Sequence, residues 1–268
     1  MNTKVKAINL FVKHKNYGRN QIINIKQIHK GFTNVSYKVT TKDKHIYQIR
    51  IGNNKVVHRT NERNVLNIVG GQMYLYFDVK SGNAIKKWIV GVNPSFQQIC
   101  SSTFLKAFAK TLCTLHTTNI KNHKILQHDY LDCLKRAKLP PQHRAVYLSL
   151  IKQYKNLPLV LSHNDLSADN LIYTPDHQVT FIDYEWSRLN NQYWDLANFI
   201  REVNLPINKI KELASYLKIK NIKILMDFVY LSTNYAYQWT FNMPLNPKIK
   251  KYRAIVFKKM TRYLGLID

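Results

Sequence analysis

The segment LVLSHNDLSADNLIYTPDHQVTFIDYEWSRLNNQYWDLANFIRE, residues 159–202, decides how the chain is read. From Asp165 to Glu202 it holds seven acids (Asp165, Asp169, Asp176, Asp183, Glu185, Asp195, Glu202) and two bases (Arg188, Arg201), a net charge of −5. The whole chain has 41 Lys+Arg against 15 Asp+Glu, a net charge of +26. Carboxylates gathered in so basic a chain point to cation binding, proton transfer, or both.

Leu159-Val160-Leu161 is a short apolar run that reads as a buried strand leading into His163-Asn164-Asp165. Residues 171–173 and 179–182 read as a hairpin around Thr174-Pro175-Asp176-His177. The second strand ends on Asp183, so that carboxylate emerges at a strand end. Asp165, Asn170 and Asp183 thus follow the layout of a protein-kinase catalytic loop and its D-F-G segment, with Asn164 in place of Arg and Asp183-Tyr184-Glu185 in place of D-F-G. The residue types suit phosphoryl transfer. Asp165 can orient an attacking hydroxyl and take its proton, and Asn170 and Asp183 offer hard oxygens to Mg²⁺.

At 268 residues the chain can bury a sizeable core in one large domain or two lobes. It contains no run of 18 apolar residues, so no transmembrane helix is expected. The first 16 residues have scattered lysines and no apolar centre, so no signal peptide is read. Cys100, Cys113 and Cys133 lack ligand-like spacing and are expected to be buried thiols in a reducing cytoplasm. The positive charge is spread along the chain, and no nucleic-acid module is visible, so no nucleic-acid partner is expected.

The remaining pattern is α+β. Residues 1–90 read as an N-terminal nucleotide-binding lobe, an antiparallel sheet with one main helix; residues 91–268 read as a mostly helical C-terminal lobe. Near the start a helix precedes a strand at Gln21–Ile28. Gly31, Thr33 and Asn34 then form a turn able to lay N–H groups and a hydroxyl against phosphate. The alternating strand at 45–51 carries Arg50, and the helix at 58–69 carries Glu62. A strand cation paired with a helix carboxylate forms a phosphate clamp. Strands follow at 73–79 and 84–90, and Trp88 to Gly91 is a candidate hinge for an adenine edge. Helices are expected at 95–118 and, interrupted by Pro140-Pro141, at about 127–155. More are expected at 194–203, 208–218, 221–242 and 247–265. Asp195 can cap its helix or hydrogen-bond the catalytic-loop backbone.

The segments GFTNVSYKV, YQIRIG, RTNE, LSHNDLSADNLI and FIDYEWSRLNNQYWDLANFIRE resemble the choline/ethanolamine kinase family, within the aminoglycoside-phosphotransferase group of kinase-like folds. The resemblance runs from about residue 28 to the last helices. It implies a bilobal protein-kinase-like fold, with Asp165 as catalytic base, Asn170 and Asp183 as Mg²⁺ ligands, Arg50 on the ATP phosphates and Glu62 as its partner. It places Glu202 in the pocket for the alcohol's ammonium, with Tyr235, Trp239 and Tyr252 as aromatic walls. A quaternary ammonium needs an anion and aromatic faces, since it cannot donate hydrogen bonds. The family's paired tryptophans are reduced here to Trp239, with Ala236 three residues before it. The implied activity is an ATP- and Mg²⁺-dependent choline kinase. Thiamine, ethanolamine or aminoglycoside kinases and a non-catalytic kinase-like binding module stand as alternatives, and the resemblance admits a homodimer.

Overall fold

A computed structural model describes residues 2–15, 17–28, 34–52, 57–71 and 73–266. Gly31 and Thr33 lie outside the described residues. The chain divides into two compact units. One is Met1–Gly91 with Lys121–Lys124 and Tyr184–Trp186; the other is Val92–Ile120, Ile125–Asp183 and Ser187–Asp268.

The first unit is built on an antiparallel sheet of β1 (Ile22–Ile28), β2 (Asn34–Thr41), β3 (Ile46–Gly52), β4 (Tyr74–Phe77) and β5 (Ala84–Lys87), in the order β1-β2-β3-β5-β4. Successive strand side chains point to opposite faces. Tyr37 and Val39 of β2 therefore share a face with Tyr47, Ile49 and Ile51 of β3, and these bury against Ala7 and Phe11 of α1 (Thr3–Lys15). Each such large apolar side chain contributes about 1.5–3 kcal/mol. One step out of phase, Arg50 of β3 points the other way, where α2 (Arg59–Ile68) supplies its carboxylate partner.

The second unit is mostly helical: α3 (Phe96–Ile99), α4 (Ser102–His116), α5 (Pro141–Tyr154), α6 (Tyr193–Val203), α7 (Ile207–Tyr216), α8 (Ile222–Trp239) and α9 (Pro247–Leu264). Two short ladders complete it, β6 (Leu159–Ser162) with β9 (Arg188–Asn191), and β7 (Leu171–Tyr173) with β8 (Val179–Phe181). Phe108 of α4 stacks on Phe199 of α6 with ring centroids 4.2 Å apart, and Phe181 of β8 packs on Phe108 at 5.4 Å. The Thr111 hydroxyl donates to the Val179 carbonyl at 2.8 Å, tying α4 to the hairpin. Side-chain caps start the long helices: Ser101 for α4, Asn221 for α8 and Asn246 for α9. Each is worth about 1 kcal/mol. Among the described residues no helix is long and apolar enough to cross a membrane.

Two expectations fail locally. The helix expected over 95–118 breaks at Cys100–Ser101, where the Ser101 hydroxyl accepts the Phe104 N–H and starts a new helix. The helix expected from 127 begins only at Pro141. Instead, Leu126 and His128 exchange backbone hydrogen bonds with Leu189 at 2.9 and 2.8 Å, and the Asp129 carboxylate accepts the Leu131 N–H at 2.8 Å. Local side-chain acceptors of this kind compete with the helical ladder.

Asp227 of α8 is 1 % exposed, and the Tyr154 hydroxyl donates to its carboxylate. Burial raises the Asp227 carboxyl above its ordinary value, against the opposing effect of Tyr154 and Lys223. A raised folded-state pKa means the stabilising neutral form is present at acid pH and lost as pH rises through the raised value. Asp227→Asn should therefore raise Tm at neutral pH and leave it nearly unchanged at acid pH, below the ordinary carboxylate range. Thermal melts at both pH values check this; an equal shift at both would remove ionisation as the cause.

Candidate active site

In the first unit, four charges from three segments close into one network. The Arg50 guanidinium donates to Glu62 at 2.7 Å and to the Gly82 carbonyl at 2.9 Å. Arg59 donates to the second oxygen of Glu62 at 2.7 Å, to Glu185 at 2.9 Å and to the Asn34 amide oxygen at 2.9 Å. The Asn34 amide nitrogen donates to Glu185 at 2.8 Å. All four charged groups are buried, with Glu62 fully so. Removing an ion from water costs several kcal/mol, and the network offsets this by matching two cations with two anions. The Arg50–Glu62 pair follows from strand and helix position. The sequence assigns no role in this network to Arg59 or Glu185, although Arg59 and Glu62, three apart on a helix, share a face. Trp88 continues the ladder beside β3, its N–H on the Ile46 carbonyl at 3.1 Å, and the Lys38 ammonium lies 4.4 Å from its ring centroid.

In the second unit, the chain leaves β6 through His163, Asn164 and Asp165. Asn164 takes a left-handed φ of 64°, which asparagine tolerates better than most residues. Asp195, wholly buried in the first turn of α6, does not cap its own helix. Its two carboxylate oxygens accept the backbone N–H groups of His163 and Asn164, both at 2.8 Å, and His116 Nε2 lies 3.0 Å from one of them. Burial pushes the Asp195 carboxyl up, but His116, His163 and these hydrogen bonds outweigh it and hold it below the ordinary value. Burial pushes the His163 imidazole down, so it is neutral, and its Nε2–H donates to the Ile182 carbonyl at 2.9 Å.

That contact joins the loop to the hairpin. The Ile182 N–H donates to the Asn170 carbonyl at 3.0 Å, and the next residue, Asp183, has φ 68°. Asn170 donates its side-chain nitrogen to the Asp165 backbone oxygen at 2.7 Å and to the Asp165 carboxylate at 2.9 Å. This commits the Asn170 side-chain nitrogen to Asp165 and leaves the amide oxygen as its acceptor atom. An amide oxygen and a carboxylate, as Asn170 and Asp183 carry, are hard donors of the kind Mg²⁺ takes.

At the far end of α6, Tyr252 of α9 donates to Glu202 Oε1 at 2.8 Å, and Arg201 approaches the same oxygen at 3.0 Å. Tyr235 of α8 points to another cluster: its ring packs on His128 at 4.7 Å and Trp194 at 5.6 Å, and its hydroxyl donates to Asp132 at 3.1 Å. Trp239 is half-buried at the last turn of α8. Glu202 and Tyr252 are thus joined directly, while Tyr235 makes its polar and ring contacts elsewhere.

Solved structures share this architecture. The choline kinase LicA from Streptococcus pneumoniae matches with a TM-score of 0.78 at 17% identity, over 98% of this chain and 99% of that one. LicA is also known in complex with AMP (TM-score 0.74, 18% identity, 96% and 98% covered). An ethanolamine kinase of Plasmodium vivax matches with a TM-score of 0.77 at 18% identity, over 97% and 89%. These likenesses establish a kinase-like fold. In sequence, the chain is 34% identical over 264 residues to the "Uncharacterized protein MG356 homolog" of Mycoplasma pneumoniae, covering 96% of this chain and 92% of that protein. The family model described as choline/ethanolamine kinase matches residues 25–251, and the chain belongs to that family.

Gly82 binds the charge network to the β4–β5 turn. It has φ 72°, and a Cβ there would collide with the Arg59 guanidinium. Gly82→Ala should cost about 1–3 kcal/mol through backbone strain and displacement of Arg59. Urea unfolding measures this; an unchanged midpoint would show that the network yields freely.

Proposed function

We propose that the chain is an ATP- and Mg²⁺-dependent phosphotransferase acting on the hydroxyl of a small cationic amino alcohol, choline by the sequence expectation, with ethanolamine the alternative in the same family. The observation that carries this is the Asn170 side-chain nitrogen, which donates to the Asp165 carboxylate at 2.9 Å, in a residue whose backbone oxygen accepts the N–H of Ile182, the residue before Asp183. One side chain thereby orients a proton acceptor and offers a cation ligand.

In this reading Asp165 orients the acceptor hydroxyl and accepts its proton. Asn170 and Asp183 hold Mg²⁺, which when bound supplies charge neutralisation to the phosphates. Arg50, braced by Glu62 and the Gly82 carbonyl, serves the ATP phosphates, together with Gly31, Thr33 and Asn34. The backbone from Trp88 to Gly91 serves the adenine. Glu202, Tyr252 and Trp239 receive the ammonium end of the alcohol, and Tyr235 shapes the wall behind them. The AMP complex of LicA supports the nucleotide part of this reading.

A coupled ADP-release assay with choline, ethanolamine, thiamine, kanamycin and no acceptor tests the reading. Turnover with kanamycin or thiamine alone would replace the amino-alcohol assignment. Asp165→Ala should lower turnover by at least ~10²–10⁴-fold while nucleotide binding persists. Near-normal turnover would remove Asp165 from the chemistry. Glu202→Gln should raise KM for the alcohol with a smaller change in kcat, and an unaltered KM would exclude Glu202 from acceptor binding.

A further inference from the structure

Glu202 does not stand alone as an anion. Arg201, its neighbour on α6, is itself buried, at 5 % exposed. The Arg201 guanidinium reaches Glu202 Oε1 at 3.0 Å and donates to the Tyr252 hydroxyl at 3.2 Å and to the Asn198 side-chain oxygen. Burial lowers the Arg201 pKa, but Glu202, Tyr252 and Asp165 outweigh it, so the group is firmly charged. From α9, the Lys259 ammonium donates to the Arg201 carbonyl at 2.6 Å, at the negative end of α6. Burial lowers the Lys259 pKa, and Arg201 and Arg262 add to that, while Glu202 opposes it. Glu202 thus faces two cations, one in direct contact and one a peptide group away.

The hydrogen bonds at Glu202 are one-sided. Both Tyr252 and Arg201 use Oε1, and among the described residues Oε2 receives no hydrogen bond. The carboxylate side chain is 24 % exposed, so Oε2 can meet a ligand. A trimethylammonium group has no N–H and depends on net negative charge and aromatic faces. A primary ammonium can instead donate a hydrogen bond to Oε2, which is short and strong when charge-assisted. The aromatic supply is also thin, because Tyr235 gives its ring to His128 and Trp194.

We propose that Arg201, backed by Lys259, is the specificity-determining element of the acceptor site, offsetting the charge of Glu202 so that the site favours amines bearing N–H over quaternary ammonium groups. This rests on the amino-alcohol kinase reading and, within it, moves the preferred acceptor from choline to ethanolamine. Arg201 acts through Glu202 and is a positioning residue. A like charge beside the anion weakens a ligand held by charge alone more than one that also donates a hydrogen bond.

The test is the ratio of kcat/KM for choline to kcat/KM for ethanolamine. It is measured in the full-length wild type, Arg201→Met, Arg201→Lys and Lys259→Met. The wild type should prefer ethanolamine. Arg201→Met should shift the ratio toward choline by about tenfold or more. Arg201→Lys, which keeps the charge, should stay near the wild-type ratio. Lys259→Met should move the ratio in the same direction by less, and it carries the test if Arg201→Met does not fold. A general loss of stability would lower both terms and leave the ratio unmoved. A wild-type preference for choline, or an unchanged ratio in the folded neutral variants, overturns the proposal. A wild type that turns over neither amine removes the amino-alcohol reading and this inference together, and is told apart by the absence of any ratio.

Discussion

Two backbone N–H groups at the end of β6 would otherwise point into a buried space with no acceptor. Asp195 supplies both acceptors, one oxygen to each, and His116 braces one of those oxygens. An unsatisfied buried donor costs about 1–3 kcal/mol, so this carboxylate decides whether the left-handed turn at Asn164 can exist. The turn presents Asp165, and Asn190 reinforces it by donating to the Asn164 side-chain oxygen at 2.8 Å. The order of cause runs from a helix-borne anion to a loop backbone and then to the carboxylate proposed for chemistry.

The first unit meets an analogous demand with charge instead of backbone dipoles. Arg50 and Arg59 are held in low-dielectric surroundings only because Glu62 and Glu185 lie between them. Electrostatic effects in such a setting are strong in both directions, so losing one member leaves another buried and uncompensated. This makes the network rigid. Under the role proposed for Arg50, a rigid cation suits a phosphate, because binding the anion needs little reorganisation.

What could be read from sequence tracks the distance along the chain over which each interaction acts. Asp165, Asn170 and Asp183 lie within one short loop and hairpin, so their relation follows from spacing. Arg50 and Glu62 are 12 residues apart on consecutive elements, and strand alternation with helical period brings them face to face. Arg59 and Glu185 are separated by 126 residues and His116 and Asp195 by 79, and nothing local announces either contact. The stretch at 127–140 was misread for the same reason. Leu126 and His128 find their backbone partner in distant Leu189. The pairing at Glu202 escaped too, because adjacency of Arg201 and Glu202 in sequence does not predict that their side chains converge on Tyr252.

Helix α6 carries Asp195 in its first turn and Glu202 near its end. Seven residues separate them, two turns of a rod that rises about 1.5 Å per residue, so they lie on one side of it roughly 10 Å apart along the axis. Under the proposed roles, the first anchors the loop that receives a hydroxyl and the second receives an ammonium. The helix is then a calliper: the spacing between the two ends of an acceptable alcohol is set by the number of backbone hydrogen bonds between two carboxylates. A family sharing this frame could lengthen its substrates by changing side chains at the jaws, but not by a small stretch of the rod. One added residue would rotate the second jaw about 100° off the shared face.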